Sequence, residues 1–176
     1  MDTVFYEELT PAAFLRRLAQ APIAYLPLGT LEWHGPHLPL GSDGLQSRGL
    51  FAQLARRVGG VVLPMLFVGP DLTYTKDGYT YIGMDFWGRP QGEAPRPMPG
   101  SAYHVADETF AILLESILAQ LRRAGFRIVV AHGHGPSTKA FMAHAPEWER
   151  KYDLFLRCAW SKADAIGFQN DHAAAN

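Results

Sequence analysis

The sequence predicts a layered α/β domain with a largely parallel central sheet. Four apolar runs of strand length alternate with segments whose apolar residues recur at helical spacing, which is typical of this class. The runs are continuously apolar, which indicates strands buried on both faces by helices. In such sheets, ligands bind beyond the carboxyl ends of the strands. In chain order, the runs are PIAYLPLG, VVLPMLF, FRIVVAHG and DLFLRCAW.

Two helices and two strands are predicted in the first part of the chain. Thr10 before Pro11 is typical of an N-cap followed by proline in the first helical position. The first apolar run then forms a buried strand. Ser42 or Asp43 is expected to cap a second helix, which the glycine pair at 59–60 ends. The second apolar run follows as the next strand.

Residues 69–105 interrupt this alternation, and we call them the 69–105 segment. The segment is rich in glycine, proline and aromatic residues, with a small hairpin predicted around Tyr79 to Ile82. So long a connection in a compact domain is usually a functional lid, an interface arm or a mobile loop. Its aromatic rings could cap a pocket or pack against a neighbouring subunit, and their apolar character favours subunit packing at least in part.

The remainder of the chain returns to alternating helices and strands. A helix from about Asp107 carries apolar residues on one face, and Gly125 ends it. The third apolar run, a proline-interrupted helical stretch PSTKAFMAHAPEWER and the fourth run follow. We therefore interpret residues 1–176 as one domain with an excursion at about 69–105.

Composition indicates a globular chain and argues against two classes of partner. The 176 residues, 48% hydrophobic and 19% charged, are enough to bury one core. A formal net charge of −1 offers no electrostatic footprint for nucleic acid or an anionic membrane. The start MDTVFYEEL lacks the features of a signal peptide, and no apolar run reaches the roughly eighteen residues of a membrane span. We therefore expect a cytoplasmic protein.

The loop GTLEWHGPHLPLGSD, residues 29–43, concentrates ionisable side chains where the first strand ends. Glu32 and His34 lie two positions apart, so in extended backbone their side chains project to one side. Asp43 follows a turn in which prolines restrict the backbone conformation. One imidazole and two carboxylates suit a divalent cation. The alternatives are an exposed polar loop for Glu32 and His34, and a helix N-cap for Asp43.

Two more histidine clusters lie further along the chain. In AHGHGPST, His132 and His134 directly follow a strand that ends at the same edge as the first. A lone histidine there is more often a hydrogen-bonded polar residue than a ligand, but clusters at two strand ends favour a metal site. In NDHAAAN, Asp171 could orient His172 as an acid/base pair. The alternative for that stretch is a polar tail.

These motifs resemble those of the creatininase, or creatinine amidohydrolase, family. The family's first motif, GSxExHGPHLPLxTD, is matched at nearly every position of the loop at 29–43. Its NGHGGN motif is matched in part by HGHGPS, and its third motif by DHAAAN. The resemblance spans about residues 20–176 and is weakest in the 69–105 segment. It implies a three-layer α/β/α fold and homo-oligomers, often hexamers.

The resemblance also implies hydrolysis of a C–N bond in a small amide at a site with one or two divalent ions per chain. Zinc is expected, with manganese and iron as alternatives. Carried onto this sequence, Glu32 and His134 would hold one ion, His34 the other, and Asp43 would bridge them. His172, with Asp171, would act on the substrate as an acid/base or binding group.

Several positions depart from the family pattern. Pro136 stands where creatininase has a glutamate that completes its second metal, and His132 stands in place of an asparagine. Phe168 and Gly135 occupy substrate-lining positions that are aromatic in creatininase, a tryptophan in the case of Phe168, so creatinine is not the expected substrate. The family pattern continues beyond the position of Asn176, so we expect a divergent or C-terminally short member of the family.

These departures keep two other functions open. One is a catalytically silent subunit of the same fold that binds a metal or a small ligand. The other is metal-assisted phosphoester hydrolysis, which is disfavoured because no arginine cluster lies at the strand ends to hold a phosphate.

Overall fold

The computed structural model describes residues 3–159. Their helices and strands alternate as the sequence predicts, and a short hairpin lies within the 69–105 segment. The order is α1 (Pro11–Gln20), β1 (Ile23–Leu28), α2 (Ser42–Val58), β2 (Val61–Val62), β3 (Thr73–Lys76), β4 (Tyr79–Ile82), α3 (Asp107–Ala124), β5 (Ile128–Gly133), α4 (Gly135–Tyr152) and β6 (Phe155–Cys158).

A four-stranded parallel sheet in the order β2-β1-β5-β6 forms the middle layer. Because side chains alternate along a strand, β1 faces two different cores. Leu26 and Leu28 pack with α3 and α4, whereas Tyr25 packs with Phe51 of α2. Helices therefore cover both faces of the sheet, and the predicted three-layer α/β/α fold with a parallel central sheet is confirmed.

Helix ends follow the predicted capping chemistry at some positions and not at others. The Thr10 hydroxyl accepts from the Ala13 N–H at 3.3 Å, which confirms the N-cap of α1. Gly125 ends α3 in the left-handed conformation, also as predicted. The predicted cap of α2 is wrong: Gly41 is the N-cap residue, and neither Ser42 nor Asp43 caps the helix through its side chain. Asp43 lies in the first turn, and its carboxylate is available for another role.

Two other elements differ in extent from the prediction. The VVLPMLF run forms regular strand only at β2, because Pro64 has no N–H to donate to a ladder. It still follows β1, through hydrogen bonds from the N–H groups of Leu63 and Leu66 to Tyr25 and Pro27. The stretch predicted as interrupted by proline is one continuous helix, α4, with Pro146 inside it.

The 69–105 segment contains the predicted hairpin, formed by β3 and β4. Asp77 and Gly78 both have positive φ at its turn, the conformation that tight hairpins favour. A bridge between Gly69 and His104 joins the two ends of the segment, and a second bridge pairs Ala102 with Leu31 of the loop that follows β1. Within residues 3–159, each helix is too short or too polar to cross a membrane.

The close pairing of β1 and β5 sets the position of everything that follows them. Leu28 and Gly133 are partners in the register, so both strands end at the same level. Gly133 has φ +137°, and a Cβ there would lie 1.7 Å from the Leu28 carbonyl oxygen. Only glycine fits at this position, so the backbone that leads to His134 is held in one conformation.

We predict that Gly133→Ala lowers the free energy of unfolding by about 2 kcal/mol or more, because the Cβ clash and the positive φ act together. Gly49→Ala is the matched control, since Gly49 lies in α2 with nothing within 4 Å of an added Cβ. That variant should gain up to about 1 kcal/mol from helix propensity. Urea unfolding of both variants measures the difference, and equal midpoints would contradict the argument.

Candidate metal centre

The ionisable side chains lie at one edge of the sheet, where two adjacent strands end. The loop at 29–43 leaves the end of β1, and His134 follows the end of β5. The His134 N–H donates to the Leu28 carbonyl at 3.2 Å, and the Gly29 N–H donates to the Leu66 carbonyl at 2.8 Å. These hydrogen bonds fix the start of both segments, so the side chains beyond them converge on the crevice predicted from the sequence.

Glu32 and His34 point inward from the first of these segments. The Glu32 side chain is 9% exposed and that of His34 is 22% exposed, so the exposed-loop alternative is wrong for both residues. His34 Nδ1 lies 3.2 Å from the Glu32 carbonyl oxygen, which can only accept, so Nδ1 carries the hydrogen. In the neutral ring, Nε2 then holds the lone pair. It lies 3.3 Å from Glu32 Oε1 and 3.5 Å from Asp43 Oδ1.

His134 is held in the same tautomer by different partners. The Ser137 hydroxyl donates to the Gly29 carbonyl at 3.4 Å and therefore accepts from His134 Nδ1 at 3.0 Å. The Nε2 lone pair faces Glu32 Oε1 at 3.6 Å. Burial lowers the pKa of His134 to about 4, so the ring is neutral at physiological pH. A neutral imidazole whose other nitrogen is hydrogen-bonded is the usual form of a metal ligand.

The carboxylates of the cluster lie close together, with Glu32 and Asp71 buried and the Asp43 side chain 25% exposed. Burial, followed by the charges of Asp71 and Asp43, raises the pKa of Glu32 to about 8. Burial also raises the pKa of Asp43, against the opposing effect of His34 and His132, and that of Asp71. Within residues 3–159, the ion pairs of these carboxylates are with histidines. The cluster therefore favours either extra protons or a cation.

The donor atoms fit the coordination sphere of a divalent ion. Ligand atoms of Glu32, Asp43 and His134 all lie within 4.8 Å of one another, and the contacts described above are 3.3 to 3.6 Å long. Ligands at about 2.1 Å from a tetrahedral ion are about 3.4 Å apart. The structure thus brings together all four residues that the sequence predicts as metal ligands, with His34 beside Glu32 and Asp43.

The remaining predicted site residues either lie away from the centre of the cluster or lie outside the residues that the structure describes. Gly135 is the first residue of α4, and an added Cβ would meet nothing within 4 Å. Pro136 follows it in the first helical turn, where its ring supplies no ligand. Asp171, His172 and Phe168 lie outside the described residues, so their predicted roles stay predictions.

His132 occupies a supporting position beside the cluster. The Ser47 hydroxyl donates to the Asp43 carbonyl at 2.6 Å, so it accepts from His132 Nδ1 at 2.9 Å. The imidazole also meets the Phe51 ring edge to face. Of the two roles left open for this residue, hydrogen bonding is the one that these contacts support.

A small cavity opens beside the cluster. Its volume is about 150 Å³, and Glu32 and Asp71 form part of its wall. Most of the other lining residues come from the 69–105 segment, among them Tyr79, Ser101 and His104. This segment therefore covers the site on one side, as the pocket-capping alternative predicts.

The sequence of this chain also matches a known family. The sequence profile of the creatininase family, described as creatinine amidohydrolase, matches residues 7–175. The chain belongs to the creatininase family. Among curated creatininase relatives, it is similar to 3-dehydro-scyllo-inosose hydrolase of Thermotoga maritima, with 29% identity over 133 residues. That alignment covers 75% of this chain and 36% of the Thermotoga protein.

Solved creatininase structures share the fold. A crystal structure of creatinine amidohydrolase superposes with a TM-score of 0.69 at 23% identity, over 90% of this chain and 57% of that one. A variant creatininase described as the Zn–Zn type gives a TM-score of 0.71 at 23% identity, over 94% and 60% of the two chains. A form described as creatininase Mn gives 0.66 at 22% identity, over 88% and 57%. The chain thus spans little more than half the length of these structures.

Asp71 is the one acidic residue of the cluster that sequence reasoning missed. It follows Gly69 and Pro70 in the part of the chain where the creatininase resemblance is weakest. Its Oδ1 lies 3.7 Å from His134 Nε2. One signal could have found it: the residue follows the second apolar run, whose strand is the neighbour of β1, so it too leaves the ligand-binding edge of the sheet.

The raised pKa of Glu32 and the lowered pKa of His134 predict how the stability of metal-free protein depends on pH. Between about pH 6.5 and 8, Glu32 keeps its proton in the folded state and loses it on unfolding, so stability falls as pH rises. Between about pH 4 and 6.5, His134 is neutral in the folded state and takes up a proton on unfolding. Its contribution to stability therefore rises with pH in that range. We expect a decline above pH 6.5 of at most about 1.4 kcal/mol per pH unit for one proton.

Urea unfolding of chelator-treated protein measures this decline. Glu32→Gln should abolish it, because glutamine does not titrate, and saturating Zn²⁺ should reverse it by favouring the ionised carboxylate. A midpoint that is flat or rises between pH 6.5 and 8 in the metal-free wild type would contradict the prediction.

Proposed function

We propose that this protein is a metal-dependent hydrolase that cleaves a C–N bond of a small amide or cyclic amide with a metal-activated water. The observation that carries the proposal is the convergence of two histidine Nε2 atoms and buried carboxylates beside a cavity of about 150 Å³. Family membership and a hydrolase relative support the same class of reaction.

We propose Glu32, Asp43 and His134 as ligands of one ion. His34 would bind a second ion with Asp43 as the bridge, although Pro136 offers no side-chain ligand for it. Zinc is the proposed metal, with manganese and iron as alternatives, and the zinc and manganese forms among similar creatininase structures support that set. A divalent ion bound there lowers the pKa of a coordinated water and polarises a substrate carbonyl.

The protein's own groups orient the ligands and surround the substrate. The Glu32 carbonyl and the Ser137 hydroxyl hold the two imidazoles with Nε2 facing inward. The 69–105 segment would shield a bound substrate from bulk water. His172, oriented by Asp171, is proposed to pass a proton to the leaving nitrogen, and Phe168 and Gly135 are proposed to contact the substrate.

The curated relative favours a second candidate substrate class. That protein is named for hydrolysis of 3-dehydro-scyllo-inosose. An inosose is a ring of carbon atoms without a C–N bond, so a cyclic polyhydroxy ketone deserves testing beside the amides. The same metal chemistry would serve both classes if the ring carries the second carbonyl that the prefix 3-dehydro denotes. Water would add to one carbonyl, the adjoining C–C bond would break, and its electron pair would form the enolate of the other carbonyl, which then takes up a proton.

Assembly and location are further proposals. Leu38, Leu40 and Leu45 expose 37–46% of their surface on the loop at 29–43 and the first turns of α2. Such side chains support a subunit contact next to the site, consistent with a homo-oligomer, for which a hexamer is the form that the family resemblance implies. Location in the cytoplasm remains the expectation drawn from the sequence.

We predict that protein incubated with Zn²⁺ or Mn²⁺ hydrolyses at least one member of a panel of cyclic amides, formamides and cyclic polyhydroxy ketones. Removing the ion with a chelator should abolish turnover. His34→Ala should lower kcat/KM by about 100-fold or more, because it removes a proposed ligand. His37→Gln, an exposed histidine of the same loop, is the control and should keep full activity. A protein that binds metal but hydrolyses no member of the panel would support the catalytically silent subunit.

A further inference from the structure

We infer that Asp71 is a fourth protein ligand of the ion proposed for Glu32, Asp43 and His134, which makes this the strongly binding ion of the chain. The inference rests on the proposed function, since it concerns the same centre. It assigns a role to a residue from the 69–105 segment, outside the three motifs that carry the family resemblance.

Asp71 lies beside the proposed ligands. Its Oδ1 lies 3.7 Å from His134 Nε2, almost the same distance that separates His134 Nε2 from Glu32 Oε1. The Glu32 and Asp71 carboxylates thus lie next to the same histidine nitrogen, and both side chains are buried. A divalent cation bound beside that nitrogen would neutralise both carboxylates.

Asp71 is also fixed in place, as ligand preorganisation requires. The Leu72 N–H donates to its Oδ1 at 2.7 Å, and the Leu72 carbonyl in turn accepts from the Gly83 N–H at 2.8 Å. Gly83 has φ +52°, and a Cβ there would lie 2.2 Å from Asp71 Oδ2. The turn after β4 therefore approaches the carboxylate through a glycine, and the side chain is left 6% exposed.

Electrostatics explains why this carboxylate needs a cation. Asp71 is buried beside Glu32 and Asp43, and the nearest basic side chain of the cluster is His134, whose ring is neutral. Bringing a third carboxylate into such a cluster lowers the stability of the metal-free protein. With a divalent ion bound, the same carboxylate is a favourable hard ligand. Asp71 is thus expected to destabilise the empty protein and to strengthen metal binding.

The test compares Asp71→Asn with the wild type and with Asp77→Asn. Asparagine keeps the size of the side chain and an oxygen that can accept from Leu72. Asp77 lies at the exposed hairpin turn and undergoes the same change of charge. The affinity for Zn²⁺ is measured by competition with a chromophoric chelator, and the ligand field is measured by visible absorption of the Co²⁺-loaded protein.

The expected result for Asp71→Asn is a Zn²⁺ affinity lower by more than about tenfold, together with a changed Co²⁺ absorption band. Metal-free Asp71→Asn should melt at the same temperature as the wild type or higher, which shows that the variant folds. Asp77→Asn should match the wild type in both metal measurements.

Unchanged Zn²⁺ affinity and an unchanged Co²⁺ band in Asp71→Asn would overturn the inference. The same holds if the variant loses turnover but keeps both metal properties, because Asp71 would then act on the substrate from the cavity. That outcome leaves the proposed function intact. A wild type that binds neither Zn²⁺ nor Co²⁺ would instead overturn the proposed function, and the inference with it.

Discussion

Mutual repulsion among buried carboxylates is the constraint on which the site depends. Glu32 and Asp43 come from the loop at 29–43 and Asp71 comes from the 69–105 segment, and the three meet beside two histidines whose lone pairs face inward. Without a cation, burial raises the pKa of all three acids and so favours their protonated forms. The fold holds them together because parallel strands end at one edge and their backbone hydrogen bonds fix the segments that follow.

Contacts around the cluster fix the orientation of its histidine and carboxylate side chains. Each of the two inward-facing imidazoles donates through Nδ1, one to a carbonyl and the other to a hydroxyl, so both present Nε2. Gly133 and Gly83 allow the backbone to approach where a side chain would clash, one beneath His134 and the other against Asp71. Backbone geometry and side-chain chemistry therefore specify the same centre.

Much of the fold and of the site was predictable from the sequence, because the signals are local. Continuous apolar runs indicated the parallel sheet, and Glu32, His34 and His134 lie within a few residues of strand ends. Asp71 was missed because its place after the second apolar run indicates only the edge of the sheet that it leaves, whereas its contact with His134 depends on how the 69–105 segment packs. The cap assigned to Asp43 was wrong for a related reason: a carboxylate in the first turn of a helix has the same local pattern whether it caps the helix or faces a site.

Elemental analysis of the protein as purified, and again after incubation with zinc or manganese and removal of excess ion, tests the central claim most directly. A metal centre built from Glu32, Asp43, His134 and Asp71 predicts at least one equivalent of zinc, manganese or iron per chain. Less than about a tenth of an equivalent of any divalent ion, under both conditions and with the chain folded, would contradict the account, because the buried carboxylates would then be neutralised by protons alone.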